Sequence, residues 1–210
     1  MKRGMFVVFE GADGVGKSTV MRLVVPELVR RRGLAGYLFF HWKPVRGNLS
    51  SDEIPADNPH DPRGARPRGA LACTVFLAWH WLGFALGFLK HVRPALRAGR
   101  LVVADRYAYD VALDPRRFRL ALPGWLLALF ARTLPQPDVS VLLHADPAAV
   151  RARKPELAQE EIARYQEALL ACRLVRNPAA VAADAAPHEV AAAVLARLEA
   201  PARETEDTCK

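Results

Sequence analysis

The chain has 210 residues, enough for one sizeable core, and its alternating strand and helix signals leave no obvious second domain. Its 30 Lys and Arg outweigh 22 Asp and Glu, for a net charge of +8, but the arginines are scattered through predicted helices with no interleaved basic and aromatic motif. That pattern fits small anionic substrates better than nucleic acid. Three cysteines, Cys73, Cys172 and Cys209, are odd in number and far apart, which argues against a disulfide framework or a zinc site and fits a reducing cytoplasm.

Met1-Lys2-Arg3 precedes an apolar run only a strand long, Met5–Phe9, so no secretory signal is expected. The run leads into Gly11–Ser18, G-A-D-G-V-G-K-S, which fills all eight positions of the Walker A pattern, and then into a predicted helix Lys17–Arg32 ended by Gly33. A strand that ends in a glycine-rich turn and opens into a helix turns successive backbone N–H groups inward. Gly11, Gly14, Val15 and Gly16 then form a phosphate cradle, Lys17 can reach the outer phosphates of a nucleoside triphosphate, and Ser18 can offer its hydroxyl to Mg²⁺. A chance glycine loop would lack the flanking strand and helix.

A second strand, Tyr37–His41, runs into Trp42-Lys43-Pro44. Residues 45–69 are rich in Pro, Gly, Asn and Asp and carry Arg46, Arg63, Arg66 and Arg68, so a long functional loop over the site is expected. Leu71–Leu89 holds no Asp, Glu, Lys or Arg and approaches the length of a membrane span. Gly83 and Gly87 interrupt it and it lies between two motifs that must face one site, so it reads as a buried helix or a subunit interface. Leu120–Ala131, opened by Pro123-Gly124 and carrying Trp125, is similarly apolar, and the two together predict a dimer face.

Leu101–Asp105 is a buried-type strand ending in an acid, the Walker B pattern. A carboxylate at a strand's carboxyl end faces the crevice where phosphates sit, so Asp105 can hold Mg²⁺ through water while Arg106 neutralises a phosphate. A salt bridge is the alternative role for this pair. Strand Val139–His144 leads through Asp146-Pro147 into a helix with Arg151, Arg153 and Lys154. Strand Ala179–Ala183 and helix Pro187–Leu198 complete a single domain over residues 1–200, with 201–210 as a flexible tail.

Phe9-Glu10-Gly11-Ala12-Asp13-Gly14-Val15-Gly16-Lys17-Ser18-Thr19 closely resembles the phosphate loop of thymidylate kinases, with their acid before the second glycine. The likeness continues through Pro94–Gly99, Asp105-Arg106-Tyr107, Pro137-Asp138 and Ala183-Asp184-Ala185. The resemblance implies an α/β P-loop NTPase fold, a parallel five-stranded sheet flanked by helices. It also implies ATP and Mg²⁺ as cofactors, transfer of phosphate to the 5′-phosphate of thymidylate, and a homodimer. Asp13 and Thr19 join the nucleotide cradle, and Asp13 would contact the acceptor sugar or the metal. Arg106 would bridge donor and acceptor phosphates, and Arg151 and Arg153 resemble the arginines of the mobile lid. Ser18, Asp105 and Glu10 are the candidate metal ligands. Trp42, Arg46, Phe76, Trp79 and Tyr107 join Asp13 and Arg106 as candidate acceptor contacts.

The departures bear on the acceptor. The family carries an acceptor-binding arginine on the helix before the Asp-Arg-Tyr motif, and Leu71–Leu89 contains none. Phe76, Trp79, Trp81 or Phe84 could stack on a base, although aromatics at helical spacing also serve as core. The phosphate would need Arg46, Arg63, Arg66 or Arg68 instead. The lid Arg153–Leu157 is short and broken by Pro155, and Asp114–Arg119 replaces a Ser- or Tyr-rich acceptor contact. A phosphate acceptor needs no general base, whereas a hydroxyl acceptor would require Glu10 or Asp13 to take its proton. Three readings follow: a nucleoside monophosphate kinase, a kinase of the same fold acting on a nucleoside, sugar or specialised metabolite, and a nucleotide-operated switch. The lack of an Asn-Lys-x-Asp motif counts against a GTPase.

Overall fold

The computed structural model describes residues 3–45, 49–51 and 68–200. In chain order these form β1 (Met5–Glu10), α1 (Lys17–Arg32), β2 (Tyr37–His41), β3 (Leu49–Ser50), α2 (Ala70–Gly87), a π-helical turn (Phe88–Val92), α3 (Arg93–Arg97), β4 (Leu101–Asp105), α4 (Asp110–Leu113), α5 (Gly124–Arg132), β5 (Val139–His144), α6 (Pro147–Arg153), α7 (Gln159–Leu170), β6 (Pro178–Ala182) and α8 (Pro187–Glu199). Arg46, Arg63, Arg66 and the 201–210 tail lie outside the described residues.

β1 is apolar on both faces because both faces are covered. Met5, Val7 and Phe9 enter the core under α1 and α8, while Phe6 and Val8 enter the core under α2, α3 and α5. β4 divides the same way, Leu101 and Val103 against Val102 and Ala104. Helix α1 buries Val20, Met21, Val24, Val25 and Leu28 along one stripe, and Gly33 closes it in the left-handed conformation at φ 59°.

The strands run in the order β3-β2-β4-β1-β5-β6. Every neighbouring pair is parallel except β2 and β3, where Phe39 faces Ser50 and Phe40 faces Leu49 in antiparallel register. The expectation of a parallel five-stranded sheet is therefore corrected to a mixed six-stranded one. The extra strand is two residues long, too short to leave a periodicity within a stretch read as loop. Helix α7 was likewise not anticipated, and it extends what looked like a short lid.

The long apolar helix is not a buried one. In α2 only Cys73, Leu77, Phe84 and Gly87 are buried, while Leu71, Val75, Trp79, Trp81, Leu82 and Leu86 are exposed. Among the described residues the helical stretch Ala70–Arg97 is long and apolar enough, by length and composition, to cross a membrane. Its two glycines nevertheless belong to a close approach within the domain. A Cβ on Gly83 would stand 3.1 Å from Lys43 Cδ, and one on Gly87 would collide with the carbonyl of Pro44. The chain leaving β2 thus lies directly against the glycine face of α2.

Candidate active site

Parallel pairing brings the carboxyl ends of β2, β4 and β1 to one edge, with His41 and Phe9 both opposite Asp105. Ligands of open α/β sheets bind at such an edge. Two non-glycine residues there have left-handed backbones, Trp42 at φ 56° and Arg106 at φ 67°. Each is pinned across the sheet: Trp42 N–H donates to Asp105 O and Arg106 N–H donates to Phe9 O, both at 2.9 Å. Strained residues held by their surroundings in this way cluster at functional sites.

The loop after β1 requires its glycines. Gly14 has φ 87°, and a Cβ on it would stand 2.9 Å from that of Lys154 at the end of α6. Gly16 has φ 100° and faces open space. Lys17 is buried, with Nζ donating to the carbonyls of Gly11 at 3.0 Å and Ala12 at 3.1 Å. Burial, and then the charge of Arg106, lower its pKa. Ser18 is half-buried beside it, and Thr19 is exposed.

Asp105 Oδ2 accepts from His41 Nδ1 at 3.3 Å, while its buried Oδ1 has no hydrogen-bond partner. Burial would raise this carboxyl, but the His41 contact and the Lys17 charge outweigh it and the net shift is downward. An ionised carboxylate with one free oxygen, in the field of Lys17 on the phosphate loop, fits a magnesium ion that takes its other ligands from nucleotide phosphates and water. Among the described residues no group of three or more His, Cys, Asp and Glu could hold a metal alone. Glu10 is fully buried and accepts from Tyr107 N–H at 2.8 Å through Oε1. Burial and then the charge of Asp110 push its pKa well up; one oxygen of Glu10 supports the Asp-Arg-Tyr turn, while its buried Oε2 has no hydrogen-bond partner.

Arg106 is the hub of the site. Its Nη2 donates to Asp13 Oδ1 at 2.6 Å, and its Nη1 donates to Asp110 Oδ2 at 2.7 Å and Tyr165 OH at 3.3 Å. Tyr165 OH donates in turn to Asp110 Oδ1 at 2.8 Å. A second arginine, Arg117, donates through Nη1 to Asp13 Oδ2 at 3.0 Å. Burial alone would raise Asp13, but Arg106, Lys17 and Arg117 hold it well below the usual carboxylate range.

Arg117 sits in the turns of residues 114–119, where its N–H donates to Asp114 Oδ1 at 3.2 Å. Its neighbour Phe118 stacks on Trp42, with ring centroids 5.0 Å apart at 25°. Trp42 also meets His80 at 4.7 Å and Phe84 at 5.5 Å, and Phe76 meets His80 at 4.0 Å. Lys43 Nζ lies 3.0 Å from His80 Nδ1. Burial, then the Lys43 and Arg68 charges, bring His80 down to about 4, so it is neutral near pH 7 and accepts from the ammonium. Arg68 lies 4.5 Å from the Phe76 ring centroid and donates to Phe118 O at 2.6 Å.

Known proteins resemble this chain over most of its length. A thymidylate kinase of Cutibacterium acnes is 34% identical over 154 residues, which span 69% of this chain and 67% of its own. A thymidylate kinase of Leifsonia xyli is 32% identical over 153 residues, spanning 71% of this chain and 68% of its own. The chain belongs to the thymidylate kinase-like family. No protein-family profile matches it. The crystal structure of thymidylate kinase from Ehrlichia chaffeensis superposes with a TM-score of 0.60 over 94% of this chain and 100% of its own, at 15% identity, a likeness of fold alone. Membership makes this chain a phosphotransferase of the kinase type.

The remaining candidate residues of this thymidylate kinase-like chain lie in varied surroundings. Tyr107 is buried in the core, with its OH donating to Pro135 O at 2.8 Å. Trp79 is 69% exposed and stands outside the ring cluster, whereas Trp42 and Phe76 belong to it. Arg151 and Arg153 are exposed at the end of α6. Asp110 and Tyr165 were missed, whereas Arg117 lies in the segment Asp114–Arg119 that the sequence marks as replacing an acceptor contact. Asp110 is four residues from Arg106, a helical charge spacing that could have been read, and α7 shows an apolar stripe through Ile162 and Leu169. The segment Asp114–Arg119 carries three arginines, and no local signal singles out Arg117 among them.

Proposed function

We propose that the chain is an ATP- and Mg²⁺-dependent kinase that phosphorylates a nucleoside monophosphate, thymidylate by family likeness. The observation that carries this reading is the pairing of a phosphate loop and buried Lys17 with the unpartnered Oδ1 of Asp105 on the adjoining strand. Ser18 and Asp105 would hold the magnesium ion, which spreads charge away from the transferring phosphoryl group. Lys17 exchanges the loop carbonyls for phosphate oxygens, and the loop N–H groups orient the nucleotide. Asp13 accepts from two arginines and is held strongly ionised, which makes it a poor general base and leaves Glu10 as the base a hydroxyl acceptor would need.

The arginine-free α2 favours a second reading, the same fold acting on a phosphate-free nucleoside, sugar or metabolite. An ADP-release assay with ATP and Mg²⁺ over nucleoside monophosphates, nucleosides and sugars decides between them. Turnover confined to the hydroxyl acceptors refutes the first reading.

A second copy of the chain is the proposed occupant of the exposed apolar face of α2 and α5, where Trp79, Leu86, Trp125 and Leu129 stand uncovered. An apolar face with its charges, Lys90 and Arg132, at the helix ends suits its own copy across a twofold axis. Sedimentation of the parent as a monomer at assay concentration refutes this.

A further inference from the structure

Hydrogen-bonding capacity separates the two arginines on Asp13. Arg106 gives Nη1 and Nη2 to Asp110, Tyr165 and Asp13, and its side chain is only 3% exposed. Both terminal nitrogens are already engaged, one of them by the buried Asp110. Arg117 gives Asp13 only Nη1, and its side chain is 13% exposed. Among the described residues its Nε and Nη2 make no hydrogen bond, and these two nitrogens form the edge of a guanidinium that takes up two oxygens of a phosphate.

The backbone aims this group deliberately. Arg68 N–H donates to Arg119 O at 3.0 Å and its Nη1 donates to Phe118 O, fixing the turn from outside. Asp114 fixes the Arg117 N–H from within, and Phe118 anchors the turn on Trp42. Arg117 thereby stands between the phosphate loop, through Asp13, and the ring cluster of Trp42, Phe76, His80 and Phe118. A donor phosphate would be gripped on one side of it and a flat base would find aromatic faces on the other.

We propose that Arg117 grips the phosphate of the acceptor, with Asp13 holding its guanidinium in place and Arg106 serving as the buried strut beneath both. This rests on the nucleoside monophosphate kinase reading. It accounts for an α2 without arginine: the charge comes instead from the turn after α4. A phosphate-free acceptor would give Arg117 nothing to bind.

The test compares the parent, Arg117→Ala and Arg117→Lys by calorimetric titration with thymidylate and thymidine, by steady-state kinetics, and by thermal melts. Loss of charge-assisted hydrogen bonds predicts thymidylate binding weaker by about ten- to a hundredfold in Arg117→Ala, with a matching rise in its KM. The KM for ATP and thymidine binding should stay as in the parent, and loss of the Arg117–Asp13 pair should lower the melting temperature by only about 2–4 °C. Arg117→Lys should recover part of the loss, since an ammonium keeps the charge without the fork. Unchanged thymidylate affinity, or a fall in kcat and ATP affinity with no change in acceptor KM, overturns the inference while leaving the proposed function standing. A parent that turns over phosphate-free acceptors and no nucleoside monophosphate defeats both.

Discussion

Replacing Arg106 with alanine should cost stability as well as rate. The guanidinium holds Asp110 Oδ2 at 2.7 Å and Asp13 Oδ1 at 2.6 Å, and the Asp110 side chain is 1% exposed. Without it, Asp13 keeps Arg117 on its other oxygen, but Asp110 is left with the neutral Tyr165 hydroxyl as its side-chain donor. Breaking one side of a buried pair typically costs about 3–5 kcal/mol, because the remaining charge is uncompensated. At about 2–4 °C per kcal/mol for a chain of this size, the melting temperature should fall by roughly 6–20 °C. Thermal melts followed by circular dichroism without nucleotide read this directly, and ADP release reads the rate. Adding Asp110→Asn to Arg106→Ala should restore part of the stability but not the activity, since it removes the stranded charge. A melting temperature within about 2 °C of the parent, alongside a thousandfold slower turnover of the kind seen when a phosphate-neutralising arginine is lost, would refute the strut and leave Arg106 as a phosphate ligand.

Lys17→Ala should abolish ADP release while the melting temperature holds or rises, because a buried ammonium is removed and the two carbonyls it bonds can be hydrated; retained turnover would sink the kinase reading. Asp13 has a folded pKa depressed below its unfolded value, so its stabilising contribution is full above the unfolded pKa of about 3.9 and fades as pH falls toward the depressed folded value. The stability gap between the parent and Asp13→Asn in denaturant titrations should therefore shrink from about pH 5 downward, and parallel curves would contradict the ion-pair account. Gly87→Ala should lower the melting temperature despite a helix-propensity gain of about 1 kcal/mol, because its methyl meets the Pro44 carbonyl; a neutral or stabilised variant would mean that α2 does not pack there. Trp79→Glu combined with Trp125→Glu should yield monomers in sedimentation with the fold intact, whereas an unchanged sedimentation coefficient would exclude this face as the dimer seam.

The sequence by itself determined whatever depends on neighbours in the chain. Lys17–Arg32, Tyr37–His41, Leu101–Asp105 and Val139–His144 form as their apolar patterns and end signals predict, since a strand covered on both faces must be continuously apolar and a helix must stop where glycine turns left-handed. The phosphate loop was legible because a cradle of backbone N–H groups needs its glycines and lysine at fixed spacing. The two-residue β3 was not, because its pairing is decided by β2 and not by its own residues. Only the tertiary structure decided how the charged groups share their work. Asp13 and Arg106 are 93 positions apart and Asp13 and Arg117 are 104 apart, and no local pattern records which carboxylate meets which guanidinium. The fold settles that by bringing three chain segments to one sheet edge, where burial makes each unpaired charge costly and so fixes the partners.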